Sequence, residues 1–165
     1  MADKTIDDRL QPSLLDRLTD NAPDDRSESR DTRVIDVRKL REILKRDLAW
    51  LLNTTNNESF IDRKKYPHAS RSVLNYGVKP VAGGSTTQRR VENIRQAIVQ
   101  AVREFEPRLR PESLEVLLRD EESATNMSVF FDIHGDMWAQ PLPMELYLRS
   151  EIDLMTGHLT LEQEG

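Results

Sequence analysis

The chain predicts an α+β domain in which two amphipathic helices pack on a small antiparallel β-meander, in two layers. Two observations carry that expectation. From about residue 37 to 105, apolar residues twice recur at three- and four-residue spacing over helical lengths. Beyond Pro111 the period changes to two, with turn formers between the runs.

Near the amino terminus, Leu10, Leu14, Leu15 and Leu18 form a short apolar stripe, and Pro12 and Ser13 suit a helix start. A helix from Pro12 to Leu18 is too short to stand alone in water, so it must pack on its own domain or on a partner. Residues 20 to 33 are nearly all polar and cannot offset their ordering entropy by burial, which reads as a linker. The expected organisation is a docking segment at 1–19, a polar linker at 20–35, one domain at 36–157 and a tail at 158–165.

The first long helix spans roughly 37 to 52. Leu40, Ile43, Leu44, Leu48, Leu51 and Leu52 make one face, Arg38, Glu42, Lys45 and Arg46 the other, and Asp36 is placed to cap it. Asn53 to Asn57 end it. The stretch 58 to 84 is mostly irregular, with a short helical turn near Ala69 to Leu74. Gly83-Gly84-Ser85 leads into the second long helix, with Ser85 and Gln88 at capping-box spacing. Val91, Ile94, Ile98, Val102 and Phe105 form its stripe. Pro107 stops it, since proline lacks the amide hydrogen and clashes with the preceding turn. Glu106 and Arg108 therefore flank a stiffened junction, a better docking point than an active site.

Three strands are expected: one through Leu114, Val116 and Leu118; one through Met127, Val129, Phe131 and Ile133, ending at a turn on Gly135 and Asp136; and one through Met144, Leu146, Leu148, Ile152 and Leu154. Such a meander has two edges open to strand addition unless it closes or is covered, and Glu145, Arg149, Glu151 and Asp153 are placed to protect one. Trp138, with Pro141, reads first as a cap on the core and second as an aromatic interface anchor.

A net charge of -5 over 165 residues argues against a general nucleic-acid binder. The lack of cysteine removes thiolate nucleophiles and cysteine metal sites, and fits a reducing cytoplasm. No apolar run has transmembrane length and the amino terminus does not read as a signal peptide. His68, His134 and His158 lie in separate elements without metal-ligand spacing. Glu151 and Asp153 share a strand face and Glu106 sits at the junction, but nothing shows the raised carboxylate pKa that a glycosidase needs. No GxSxG is present, and Gly83-Gly84 lacks the lysine of a phosphate loop. No cofactor is expected.

Five pieces in order carry a resemblance over almost the whole chain: Pro12 to Leu18, Arg46 to Thr54, Ser72 to Gly77, Phe105 to Leu109 and Arg149 to Gly157. Together they resemble the TssE family of type VI secretion baseplate subunits, related to the wedge protein that starts the sheath in contractile phage baseplates. The resemblance implies a structural, non-catalytic subunit on the cytoplasmic side of the bacterial inner membrane. It implies recruitment to the TssF and TssG wedge through Glu106, Pro107 and Arg108, with Leu14, Leu15 and Leu18 as a second anchor. It further implies a free strand edge that templates the sheath subunits TssB and TssC. Val129, Phe131 and Ile133, or Tyr147, Arg149 and Glu151, are the candidates for that edge. TssK and the spike hub are further candidate neighbours; nucleic acid and direct membrane insertion are not expected. On this reading an Arg108 variant folds but is not recruited. The alternatives are a small muramidase-like hydrolase and a generic cytoplasmic adaptor.

Overall fold

The computed structural model describes residues 13–19, 23–24, 37–80, 87–119, 128–138 and 144–163. Its helices are α1 (Leu14–Leu18), α2 (Val37–Leu52), α3 (Pro67–Ser70) and α4 (Thr87–Phe105), with a 3-10 turn at Val73–Asn75. Its strands are β1 (Glu115–Arg119), β2 (Ser128–Met137), β3 (Met144–Asp153) and β4 (Leu159–Gln163). The α+β, two-layer meander is as the sequence predicts. The proposed caps on Asp36 and Ser85, the linker's interior, Gly83-Gly84, Met127 and Pro141 lie outside the described residues.

The sheet is antiparallel in the order β1-β2-β3-β4. Its inner face is built by alternation: Val129, Phe131, Ile133 and Met137 from β2, and Leu146, Leu148 and Ile152 from β3, all buried. Ser150 interrupts the apolar row at zero exposure, and its hydroxyl donates to the Phe131 carbonyl at 3.0 Å. The paired hydroxyl is thus buried without an orphaned donor.

Against this face lie α2 and α4. Leu44, Leu48, Leu51 and Leu52 of α2 join Ile94, Ile98, Ala101 and Val102 of α4 in one core with the strands. A leucine fully withdrawn from water is worth about 1.5 to 3 kcal/mol, so these stripes are what hold the helices down.

Directional bonds add to the apolar contact. The Asn53 amide group, just past α2, donates to the Leu159 carbonyl at 2.8 Å and accepts from the Leu159 amide at 2.9 Å. It stands where a neighbouring strand would stand, on the outer side of β4. Arg41 of α2 donates to the Glu145 carbonyl at 3.1 Å, and Arg90 of α4 donates to the Leu154 carbonyl.

Three details depart from the sequence expectation. The carboxyl end is not a tail beyond 157: β4 pairs with β3 from Leu159 opposite Ile152 to Gln163 opposite Leu148. Leu159 and Leu161 supply its buried face, a pattern only two apolar residues long and so too short to register as a run. Gly135 and Asp136 are not a turn but the continuation of β2, opposite Leu146 and Glu145. Trp138 does not cap the core: it is 63% exposed.

The irregular stretch after α2 is closed by a parallel bridge between Thr55 and Val78. Gly77 makes that closure possible, with φ at +117° and the Thr54 carbonyl oxygen 2.2 Å from where a Cβ would stand. Replacing Gly77 by alanine is therefore expected to lower unfolding stability by about 2 to 3 kcal/mol, from backbone strain and the forced displacement of Thr54. Urea denaturation at constant slope checks it.

Candidate docking site

The carbonyl of Val102 takes the last helical bond of α4 from the Glu106 amide, at 2.9 Å. Pro107 then turns the chain and stands exposed, and the three residues after it run beside the end of β2. Trp138 donates its amide to the Arg108 carbonyl at 2.7 Å, Arg110 donates to the Asp136 carbonyl at 2.9 Å, and Leu109 forms a bridge with Met137. Leu109 is buried and pins the segment to the core. The junction after the helix is thus held on both sides.

Glu106 points inward, at 5% exposure. Its carboxylate accepts from the Arg108 amide at 3.1 Å and from the Arg108 guanidinium at 2.7 Å and 2.5 Å. The same guanidinium reaches Asp47 of α2 at 2.8 Å. Burial works against the charge on Arg108, and the hydrogen bonds and charges of Glu106 and then Asp47 overcome it, so its pKa lies above the ordinary arginine value. Tyr76 borders the cluster. Burial raises its pKa first, and the charges of Asp47 and Glu106 raise it further. Its ring meets Phe105 edge-on at 5.4 Å.

The network continues outward. Asp47 also binds Arg46 at 2.7 Å, and Arg46 binds Asp16 of α1 at 2.6 Å. Arg46 lies over the Trp50 ring, 4.9 Å from its centroid. Asp16, Arg46, Asp47, Arg108 and Glu106 therefore alternate in sign, and three carboxylates against two guanidiniums leave one negative charge. The candidate residues Glu106, Pro107 and Arg108 come together here with α1.

No residue of α1 is buried, and Leu14, Leu15 and Leu18 are 70%, 49% and 75% exposed. The helix is attached by Asp16 rather than by its leucines, whose apolar stripe faces away from the core. The strand-edge candidates fare differently. Val129, Phe131 and Ile133 lie on β2 and Tyr147, Arg149 and Glu151 on β3, and both strands are interior to the sheet. Neither set can offer a free edge, because the fourth strand covers β3 and β1 covers β2. Among the described residues the edges belong to β1 and β4.

Asp16, Arg46, Asp47 and Tyr76 were not singled out as site residues from sequence. Asp47 carried a usable signal: it stands three residues from Leu44 and four from Ile43 and Leu51, on the margin of the buried stripe, where an acid needs a partner. Nothing in the spacing says that the partner is Arg108.

The carboxylates do not assemble a hydrolytic pair. Asp153 accepts from the amides of Met155 at 2.6 Å and Thr156 at 3.0 Å. The backbone bonds from Thr156 and then Met155 hold its pKa below the ordinary value, the wrong direction for a general acid. Glu106 is committed to Arg108. His134 stacks edge-on with Tyr147 at 4.4 Å, and among the described residues no group of three or more histidines and acids could hold a metal.

A family model described as "Baseplate wedge protein gp25" matches residues 38–142, more than half of the chain and all of the Glu106-Pro107-Arg108 junction. The chain belongs to this family. Membership in the gp25 wedge family makes it a structural component of a baseplate wedge and not a catalyst, with α1, β3 and β4 lying outside the matched span. No curated protein and no solved structure matches the chain. No helix among the described residues is long and apolar enough to cross a membrane.

Two outcomes are expected of the charged network. Arg108→Ala strands the buried Glu106 carboxylate and frees one arm of Asp47, so the expectation of an undisturbed fold is revised. It should cost about 2 to 4 kcal/mol of unfolding stability, as breaking a largely buried pair does. Adding Glu106→Gln should recover part of that loss, a non-additivity measurable in a double-mutant cycle by urea denaturation. The second outcome concerns acid. The hydrogen bond from Arg46 lowers the Asp16 pKa from its ordinary 3.8, so this attachment is complete above that value and lost as pH falls through the lower folded one. Trp50 fluorescence, reporting on the stacked Arg46, should be flat from neutral pH to about 4 and change only below it.

Proposed function

We propose that the protein is the TssE-type wedge subunit of a type VI secretion baseplate, docking on TssF and TssG through the junction and the adjacent leucines of α1. The observation that carries this is the pre-organised junction. Glu106, Arg108 and Asp47 are mutually satisfied, so the segment keeps its shape before any partner arrives and association pays little for ordering it. Pro107 stands exposed at its apex. Leu14, Leu15 and Leu18 of α1, which the ion pairs through Asp16, Arg46 and Asp47 link to the junction, supply an exposed apolar surface of the kind that an interface core uses. The subunit would act on the cytoplasmic side of the inner membrane, with TssK and the spike hub as further neighbours.

Sheath initiation is the second part of the proposal, and the sheet topology moves it to the edges. Asn53 already fills the outward bonds of Leu159 on β4, which favours β1 as the strand that receives a segment of TssB or TssC. Leu117 and Leu118 of β1 are 52% and 51% exposed, an apolar edge suited to strand addition.

Co-purification with TssF and TssG tests the docking. The wild type should bind, and Leu14→Ser combined with Leu18→Ser should weaken binding about tenfold or more with circular dichroism unchanged, since those side chains support no core. Failure of the wild type to bind an intact TssF–TssG complex would overturn the assignment. For the sheath, Leu117→Lys with Leu118→Lys should leave wedge binding intact while sheath assembly, scored by electron microscopy, falls. Normal sheaths on that variant would remove β1 from the mechanism.

A further inference from the structure

A groove runs along the side of α4 away from the sheet. One wall is Arg95, Val99 and Arg103, spaced by four residues and so stacked on a single helical stripe. The other wall is α3, through Pro67 and Ser70, with Arg71 just past its end, and Arg63 closes one side. This cavity measures about 570 Å³. It opens into a second one of about 460 Å³ that shares Arg63, Gln96, Gln100 and Glu104 and reaches Lys79.

The charge here is opposite to that of the chain as a whole. Four arginines line the larger cavity against one acid, Glu104, in a protein of net charge -5. Arg63 is paired with Glu58 at 3.2 Å and Arg95 with Glu92 at 2.7 Å. Arg71 and Arg103 both line the groove and form no ion pair among the described residues. Both are exposed. Two exposed guanidiniums beside two further arginines make the groove locally positive, which attracts an anion.

We infer that this groove receives an acidic segment of a protein partner, its carboxylates placed against Arg71 and Arg103. Charge complementarity selects an anion, and the lining selects a polypeptide. Gln96 donates one amide hydrogen to Glu92 at 2.8 Å and keeps a carbonyl oxygen that can accept from a peptide backbone, while Val99 and Pro67 give apolar surface for one side chain. A nucleic acid is disfavoured because its evenly spaced phosphates would run past the groove onto a surface of net negative charge, whereas a short acidic segment can confine its carboxylates to the groove. The groove makes no use of Glu106 or Arg108, so it stands or falls apart from the docking junction.

The test uses the full chain and a fluorescein-labelled glutamate-rich peptide, followed by fluorescence anisotropy at low and physiological salt. The wild type should bind, and the affinity should fall as salt rises. Arg71→Glu with Arg103→Glu should weaken binding about tenfold or more, the scale of two partly screened charge pairs converted to an affinity. Arg38→Glu, which reverses an arginine on α2, should not. Circular dichroism should be unchanged, since neither groove arginine pairs with an acid among the described residues; Arg71→Gln with Arg103→Gln serves if the reversed pair fails to fold. No binding by the wild type, equal weakening by Arg38→Glu, or preference for a labelled single-stranded oligonucleotide over the peptide would each overturn the inference. Loss of TssF and TssG binding in the Leu14→Ser and Leu18→Ser variant leaves it untouched.

Discussion

The buried carboxylate of Glu106 is the constraint around which this structure is arranged. Left alone at 5% exposure it would be costly, and among the described residues the guanidinium and amide of Arg108 are what satisfy its oxygens. Arg108 can supply both because Pro107 ends α4 and folds the chain back within two residues. Its remaining arm reaches Asp47, so α2 and the end of α4 are tied by charge above an apolar contact. The ladder from Asp16 to Glu106 then carries that tie to α1. A signature that reads in sequence as two exposed charges about a proline is in space a closed internal circuit with the proline at its surface.

Much of the fold was legible because it rests on local periodicity. The stripe from Leu40 to Leu52 places α2 at its observed bounds, and Val91 to Phe105 places α4, since an amphipathic face long enough to bury is its own signal. Alternation likewise gave β1, β2 and β3. What it could not give was β4, where Leu159 and Leu161 alone face inward, or the continuation of β2 through Gly135, whose turn-like composition was overridden by pairing with Leu146. Those are tertiary decisions, made by the neighbouring strand.

The site was legible in part for the same reason. Glu106, Pro107 and Arg108 stand out because a helix must stop there. Their partners do not, because Asp47 lies 61 positions before Arg108 and Asp16 lies 30 before Arg46, distances over which spacing carries no information. Strand order is non-local in the same way. The family resemblance pointed to β2 and β3 as candidates for an exposed edge, yet apolarity on one face is what draws those two strands to the middle of the sheet.

Asn53, Arg41 and Arg90 have a mechanical meaning. Two apolar layers in contact resist separation but slide past one another readily, because dispersion contacts are non-directional. Here side chains of the helical layer hold backbone carbonyls of Leu159, Glu145 and Leu154, at separated points on β3, just past its end and on β4. Shear between the layers must stretch those bonds together. A pull on the sheet is therefore delivered to α2 and α4 as a unit, and through Asp47 to the junction at Arg108, making the domain a stiff coupling between whatever grips its strands and whatever holds its helices.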